Sequence, residues 1–224
     1  MFRVAIVCEG PTDRAILEAI LDHYLMDYEP LPLQPPQTAI GGDNGPFGGG
    51  WRGVQRWCEQ EGRGHLDTVH ADLLIVQVDA DVATELECAS PCPPPETTTT
   101  ALREVVMGWL GLNVLPDDVV LCVPSMASET WALVAIFPGA AEVVPCEPPP
   151  ADGQCIECRT DIKSCLRVLG KRLRPKLVEG GELKNNARGY EQQAKAITTG
   201  WPRVLTACGQ AARFDRDVRP ALGR

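Results

Sequence analysis

The amino-acid sequence predicts an α/β protein, a mostly parallel sheet flanked by helices, with a basic helical C-terminal extension. Three observations carry that expectation. Residues 4–7, 72–78 and 119–123 are short, largely apolar, β-branched runs, as strands buried on both faces require. Segments of helical apolar spacing alternate with them, which implies parallel pairing through right-handed crossovers. Past residue 158 the pattern turns helical and the charge changes sign. Residues 1–158 hold 6 Lys and Arg against 24 Asp and Glu, a net −18, whereas residues 159–224 hold 15 against 6, a net +9.

The first run, Val4-Ala5-Ile6-Val7, ends at Cys8-Glu9-Gly10-Pro11-Thr12-Asp13. Gly10 suits a tight turn and Pro11 the first turn of a helix. Ile16, Leu17, Ile20, Leu21, Tyr24 and Leu25 then form one apolar stripe, so the unit reads β-turn-α with a carboxylate at the strand's C-terminal end. A proline-rich loop follows at 29–36, then a short second strand at Gln37-Thr38-Ala39-Ile40. Next come a stretch with seven glycines over 41–53 and a short helix over 54–61. The strongest strand, 72–78, terminates in Asp79-Ala80-Asp81. A second proline-rich loop at 91–95 leads through four threonines into a helix that reaches Leu110 and stops at Gly111. The strand at 119–123 runs into Pro124-Ser125-Met126-Ala127-Ser128-Glu129, and residues 131–137 are apolar enough to suit strand or helix. Prolines at 145–150 mark a boundary between an α/β core, 1–145, and a second part, 146–224. That part holds a cysteine-containing loop and basic helices near 160–169, 190–198 and 202–214.

At 224 residues the chain accommodates one such core with an appendage, not two large domains. No apolar run approaches the roughly 20 residues of a membrane-spanning helix. The initial apolar run is too short for an export signal and enters a polar motif instead of a cleavage site. The expectation is a cytoplasmic protein with no membrane association, in which ten cysteines read as reduced thiols or a metal site. Cys8, Cys122, Cys165 and Cys208 fall in expected elements as packing residues. Cys88, Cys92, Cys155 and Cys158 fall in loops, where their spacings fit either a structural Zn²⁺ site or unpaired thiols; Cys146 is one more than four ligands need. His23, His65 and His70 lack ligand spacing, and neither a phosphate-binding P-loop nor a nucleophile elbow occurs.

Chemistry concentrates instead on acids at strand ends. Residues i and i+2 of an extended segment project alike, so Asp79 and Asp81 would share one cation with Glu9 nearby. Such oxygen ligands suit Mg²⁺ or Mn²⁺, and without a cation they would raise one another's pKa values. A strand ending in Glu9-Gly10, a helix, and a later strand ending in Asp79-x-Asp81 resembles the TOPRIM domain, a Rossmann-like fold. Topoisomerases, bacterial primases and small nucleases of the OLD and RNase M5 kinds share it. Glu9-Gly10-Pro11-Thr12-Asp13 is most similar to the nuclease branch. Ser128-Glu129-x-Trp131 and Cys208-x-x-Ala211-x-Arg213-Phe214 resemble an uncharacterised bacterial TOPRIM-like family. The resemblance covers about residues 1–137 well and the tail more loosely. It implies Glu9, Asp79, Asp81 and Glu129 as catalytic residues, with metal on Glu9, Asp13, Asp79 and Asp81. Glu9 would be general acid/base or ligand, while Asp13 and Glu129 would hold a second ion.

A topoisomerase needs a nucleophilic tyrosine domain and a strand gate, and a primase needs template-handling domains. A nuclease needs little beyond the acidic site and a basic surface. The expectation is therefore a Mg²⁺-dependent endonuclease acting on DNA, with RNA open. Similarity to OLD-type enzymes implies phage defence and an ATPase partner on a separate chain; a homo-oligomer stays open. Lys163, Arg167, Lys171, Arg172, Arg174 and Lys176 are candidates to track phosphates, and Lys184, Arg188 and Tyr190 to reach the active edge. Arg52 and Arg56 are weaker candidates beside the glycine stretch. Each of these residues alone is also an ordinary solvated side chain. Two other readings stay open: a non-catalytic or partner-activated binding module, and a phosphohydrolase for a small substrate. The last would not need the basic tail, so removing 159–224 should spare it and cripple a nuclease.

Overall fold

The three apolar runs form three adjacent strands of a four-stranded, all-parallel sheet in a computed structural model of the chain. It describes residues 1–36, 45–62, 64–88, 95–139, 155–159, 162–173, 177–179, 182–183 and 187–223. The strand order is β2 (Tyr28–Gln34), β1 (Phe2–Val7), β3 (Leu73–Gln77), β4 (Val119–Cys122). Val4 pairs with Leu73 and Leu74 with Val119, so the buried strands sit side by side in register.

The outer strand β2 corrects the sequence reading, which placed a loop over 29–36 and a strand at 37–40; the latter lies outside the described residues. Pro30 and Pro32 lack N–H donors, but neighbouring N–H groups along a strand point to opposite sides. On an edge strand the two prolines can face outward while the residues between them serve β1.

Alternation along each strand divides the core in two. Val4, Ile6, Cys8, Leu73, Ile75, Val120 and Cys122 face one layer; Ala5, Val7, Leu74, Val76, Leu121 and Val123 face the other. The second layer contains α2 (Gly50–Gln60), α3 (His65–Val69) and α4 (Pro95–Trp109). The first contains α1 (Pro11–Tyr24), α5 (Ser128–Ile136), α6 (Ile162–Gly170), α7 (Ala187–Glu191), α8 (Ala194–Ala207) and α9 (Gly209–Ala221). Val178–Glu179 and Glu182–Leu183 form a small antiparallel pair. Among the described residues no helix is long and apolar enough to cross a membrane.

Residues 131–137 resolve as the end of α5, a helix buried from Ser128 through Ala135. An element covered on all sides carries no amphipathic period, which is why its sequence suits either structure. Gly200 lets α8 approach α5: a Cβ built there would lie 2.2 Å from the carbonyl oxygen of Ala135. Arg203 secures the contact by donating from Nε to the Val134 carbonyl at 3.0 Å. Pro202 lies inside α8, not at a helix start, and the break falls at Cys208 between α8 and α9.

Candidate metal centre

Parallel strands set their C-termini, and the N-termini of the helices that follow, along one edge. β1 delivers Glu9 there, and α1 starts two residues later with Asp13 buried in its first turn. β3 delivers Gln77 and Asp79; the segment after β4 leads into α5, whose first turn carries Ser128 and Glu129. One carboxylate oxygen from each of Asp13, Asp79 and Glu129 lies within 4.8 Å of the other two, and all three residues are buried.

A short network holds these acids in place. Asp79 donates its backbone N–H to Glu9 Oε1 at 2.7 Å. Gln77 ties the two strand ends together: its Oε1 accepts the Glu9 N–H at 3.2 Å and its Nε2 donates to Asp79 Oδ1 at 2.7 Å. Ser128 donates twice, from its N–H to Asp79 Oδ1 at 3.1 Å and from its hydroxyl to Asp13 Oδ1 at 2.6 Å. The N–H of Gly50, where α2 begins, donates to the Glu9 carbonyl at 2.9 Å and brings a fourth element to the edge.

The electrostatics are those of acids short of positive charge. Burial, then the Asp13 carboxylate, pushes Glu9 up to about 8, against the opposing pull of the Asp79 N–H. Burial, then Glu129, pushes Asp13 up to about 7. Asp79 is held well above the carboxylate range, first by burial and then by Asp13, Glu9 and Glu129. The one neighbouring ammonium among the described residues is Lys163 of α6, whose Nζ lies 3.7 Å from Glu129 Oε1 and whose pKa rises chiefly because of Glu129. Buried carboxylates lacking a counter-charge are costly, and a cation relieves both desolvation and mutual repulsion. The cluster could therefore hold a metal ion.

Asp81 is placed differently from the sequence expectation. Asp79 is the last extended residue (φ −72°, ψ 137°), and the chain turns at once into a 3-10 helix, Ala80–Thr84. The i, i+2 alternation of a strand does not apply across that turn. Asp81 is exposed, although its carboxylate still bears on Glu9 and feels Lys163. The acids within mutual reach are Asp13, Asp79 and Glu129, with Glu9 and Asp81 bordering them.

Two contributors were visible in the sequence in another role or not at all. Lys163, expected to track phosphates, stands against the acids themselves. Gln77, the one amide inside the run 73–78, carries its own signal, since a strand buried on both faces needs a reason to hold a polar side chain. Several basic residues bond within the fold: Arg203 to α5, Arg213 to the Thr100 hydroxyl at 2.8 Å and Arg219 to Asp215 at 2.8 Å. Arg52 lies 3.6 Å from Glu85 and stacks over Trp51. Glu157, between two candidate zinc cysteines, is 1% exposed; its carboxylate accepts the Gln210 N–H at 3.1 Å at the start of α9 and the Trp131 indole N–H at 3.3 Å. The zinc expectation falls largely outside the described residues: Cys92 and Cys146 lie outside, as do the side chains of Cys155 and Cys158, while Cys88 is half-buried. Arg174, Lys176 and Lys184 also lie outside.

No family model matches the chain, and neither a curated protein nor a solved structure matches it.

Proposed function

We propose that the chain is a Mg²⁺- or Mn²⁺-dependent nuclease of the TOPRIM type that hydrolyses phosphodiester bonds of DNA in the cytoplasm. The observation that supports this reading is the buried Asp13–Asp79–Glu129 group with Glu9 bonded beside it, at the edge where parallel α/β sheets bind ligands. Three hard carboxylate oxygens fit Mg²⁺ or Mn²⁺ better than a softer ion. Asp13, Asp79 and Glu129 would hold it, and when bound it supplies Lewis-acid polarisation of a phosphate and a lowered pKa for water.

The remaining roles belong to the chain's own groups. Glu9, fixed by the Asp79 N–H beside the three acids, is positioned to take or give a proton to a group held there, as a general acid/base requires. Gln77 and Ser128 orient Asp79 and Asp13, so the carboxylates need not reorganise during the reaction. Exposed Asp81 borders the acids, and the half-exposed ammonium of Lys163 offers a phosphate a positive partner. An ATPase partner and a role in phage defence follow from the resemblance to OLD-type enzymes alone.

The test is cleavage of supercoiled DNA, linear DNA, single-stranded DNA and RNA in Mg²⁺ or Mn²⁺, wild type beside Asp79→Ala. Cutting by wild type that disappears in the variant supports the proposal and names the substrate. Equal cutting by both removes Asp79 from the mechanism. Cutting by neither moves the reading to a partner-activated or binding module.

A further inference from the structure

Two of the five tryptophans are unlike the rest. Trp57, Trp131 and Trp201 are 0–1% exposed and belong to the core, whereas Trp51 and Trp109 are only half-buried, although each carries a large apolar surface. These two stack on each other, their planes 17° apart and their ring centroids 6.2 Å apart. The guanidinium of Arg52 lies over the Trp51 ring, 5.1 Å from its centroid. Its side chain is 69% exposed, and its ion partner, Glu85 at 3.6 Å, is exposed as well. A flat, solvent-facing group thus already rests on this indole, held by an ion pair of a kind worth little. Position ties the indole to the acids. Trp51 is the second residue of α2, and the N–H of Gly50, just before it, donates to the Glu9 carbonyl at 2.9 Å. A Cβ built on Gly50 would meet none of the described residues within 4 Å, so no side chain among them packs over the turn at that point. The first turn of α2 carries no acid, and both of its arginines, Arg52 and Arg56, are exposed.

We propose that Trp51 is a base-stacking platform beside the metal centre, on which an unpaired nucleobase near the scissile phosphate lies against the indole face that Arg52 now covers. This rests on reading the acids as the metal site of a nuclease, and it adds the form of nucleic acid that site takes. A nucleobase and a guanidinium are both flat and both stack on indole, so the base takes the place of Arg52 on the ring. The displaced guanidinium, exposed and always charged, then pairs with a phosphate of the same strand. Inside a duplex both faces of a base are covered by its neighbours, so a base on Trp51 comes from a single strand or has left the stack. Every base has a π-face, so the platform selects unpaired nucleotides and not a sequence.

The experiment compares two fluorescein-labelled single strands of about eight nucleotides, oligothymidylate and an abasic strand of the same length, by anisotropy titration. Wild type, Trp51→Ala and Trp51→Phe are titrated in Ca²⁺, a second hard cation for the same oxygen ligands, with thermal unfolding of each protein. Wild type should prefer oligothymidylate by about tenfold or more, the worth of a stacked base. In Trp51→Ala that preference should fall to near one while affinity for the abasic strand stays within about twofold; Trp51→Phe should keep the larger part of it. Because each protein is compared with itself on the two strands, a loss of stability does not imitate a loss of stacking. A preference unchanged in Trp51→Ala overturns the platform. Weaker binding of both strands alike overturns it too, because the indole would then only hold the turn in place. Wild type that binds both strands equally overturns the platform and leaves the nuclease reading standing. Wild type that binds neither strand overturns the nuclease reading, and the platform with it.

Discussion

Asp79→Asn should stabilise the metal-free protein while it removes metal binding. Asp79 is 6% exposed and its carboxyl is surrounded by Glu9, Asp13, Glu129 and Asp81. Asparagine keeps the oxygen that accepts from Gln77 Nε2 and the Ser128 N–H, and presents an N–H₂ group to the neighbouring acids. At pH 7 the unfolded chain ionises Asp79 at its ordinary 3.8, whereas the folded chain retains the proton well above that value. From the unfolded value of 3.8 to pH 7 is about 3 pH units at about 1.4 kcal/mol each, so the folding penalty at pH 7 cannot exceed about 4 kcal/mol. Because the folded pKa is raised, the folded state binds more protons, and stability falls as pH rises above the unfolded value. The gain from asparagine should therefore be near zero at pH 4 and grow through pH 7. Allowing for relaxation, about 2 kcal/mol is expected at pH 7, or about 4–8 °C in unfolding temperature for a chain of this size. The assay is thermal unfolding of both proteins in EDTA from pH 5 to 8, repeated in Mg²⁺. With Mg²⁺ at 100 times its dissociation constant, wild type should gain about 2.7 kcal/mol and the variant much less. A variant less stable than wild type in EDTA at pH 7, or a gain that ignores pH, would refute the reasoning and make Asp79 a structural hydrogen-bond acceptor.

Lys163→Met should tighten Mg²⁺ binding about two- to threefold, because the ammonium competes with or repels the ion; its 59% side-chain exposure keeps the effect small. Calorimetric titration at constant ionic strength reads it, and weaker binding would mean that Lys163 organises Glu129. Gly200→Ala should destabilise the protein by about 2 kcal/mol or more, since the added carbon meets the Ala135 carbonyl oxygen at 2.2 Å and α8 must move off α5. Denaturant unfolding measures that loss, and an unchanged midpoint would mean the helices have room to separate.

The strands buried on both faces were legible because burial leaves only apolar, β-branched residues, and the acids that end them stood out for the same reason. Glu9 and Asp79 could be placed on one edge from the order of elements alone. Legibility failed where local signals were ambiguous or pointed the wrong way. Prolines at alternate positions resemble a loop, but Pro30 and Pro32 are compatible with an edge strand whose partner lies on one side. In α5, burial from Ser128 to Ala135 erased the periodicity that would have marked a helix. At Asp79 the chain leaves the extended conformation one residue too early for Asp81 to lie alongside, because the pattern Asp-x-Asp does not itself encode where a strand stops. Gln77 could have been found from its position, since an amide inside a strand buried on both faces needs a partner.

Packing also changes how nuclease and small-substrate readings can be told apart. Removing residues 159–224 appeared from the sequence to delete a phosphate-binding arm. In the fold, Ile197, Trp201, Val204, Phe214 and Val218 share one core with Val4, Ile16 and Trp131. Truncation would expose that core, and loss of activity would report unfolding whatever the substrate. Charge must be removed without removing chain. Arg172, Arg188 and Arg216 are exposed, and neutralising all three to glutamine leaves the core untouched. A nuclease that uses them should bind DNA more weakly, with a salt-dependence slope reduced by up to about three. Its hydrolysis of a small phosphodiester should be unchanged, since that substrate sits wholly on the acids. If DNA affinity and salt slope both stay at wild-type values, these arginines are solvent-facing only, and the positive charge that DNA needs must come from elsewhere on the chain or from a partner.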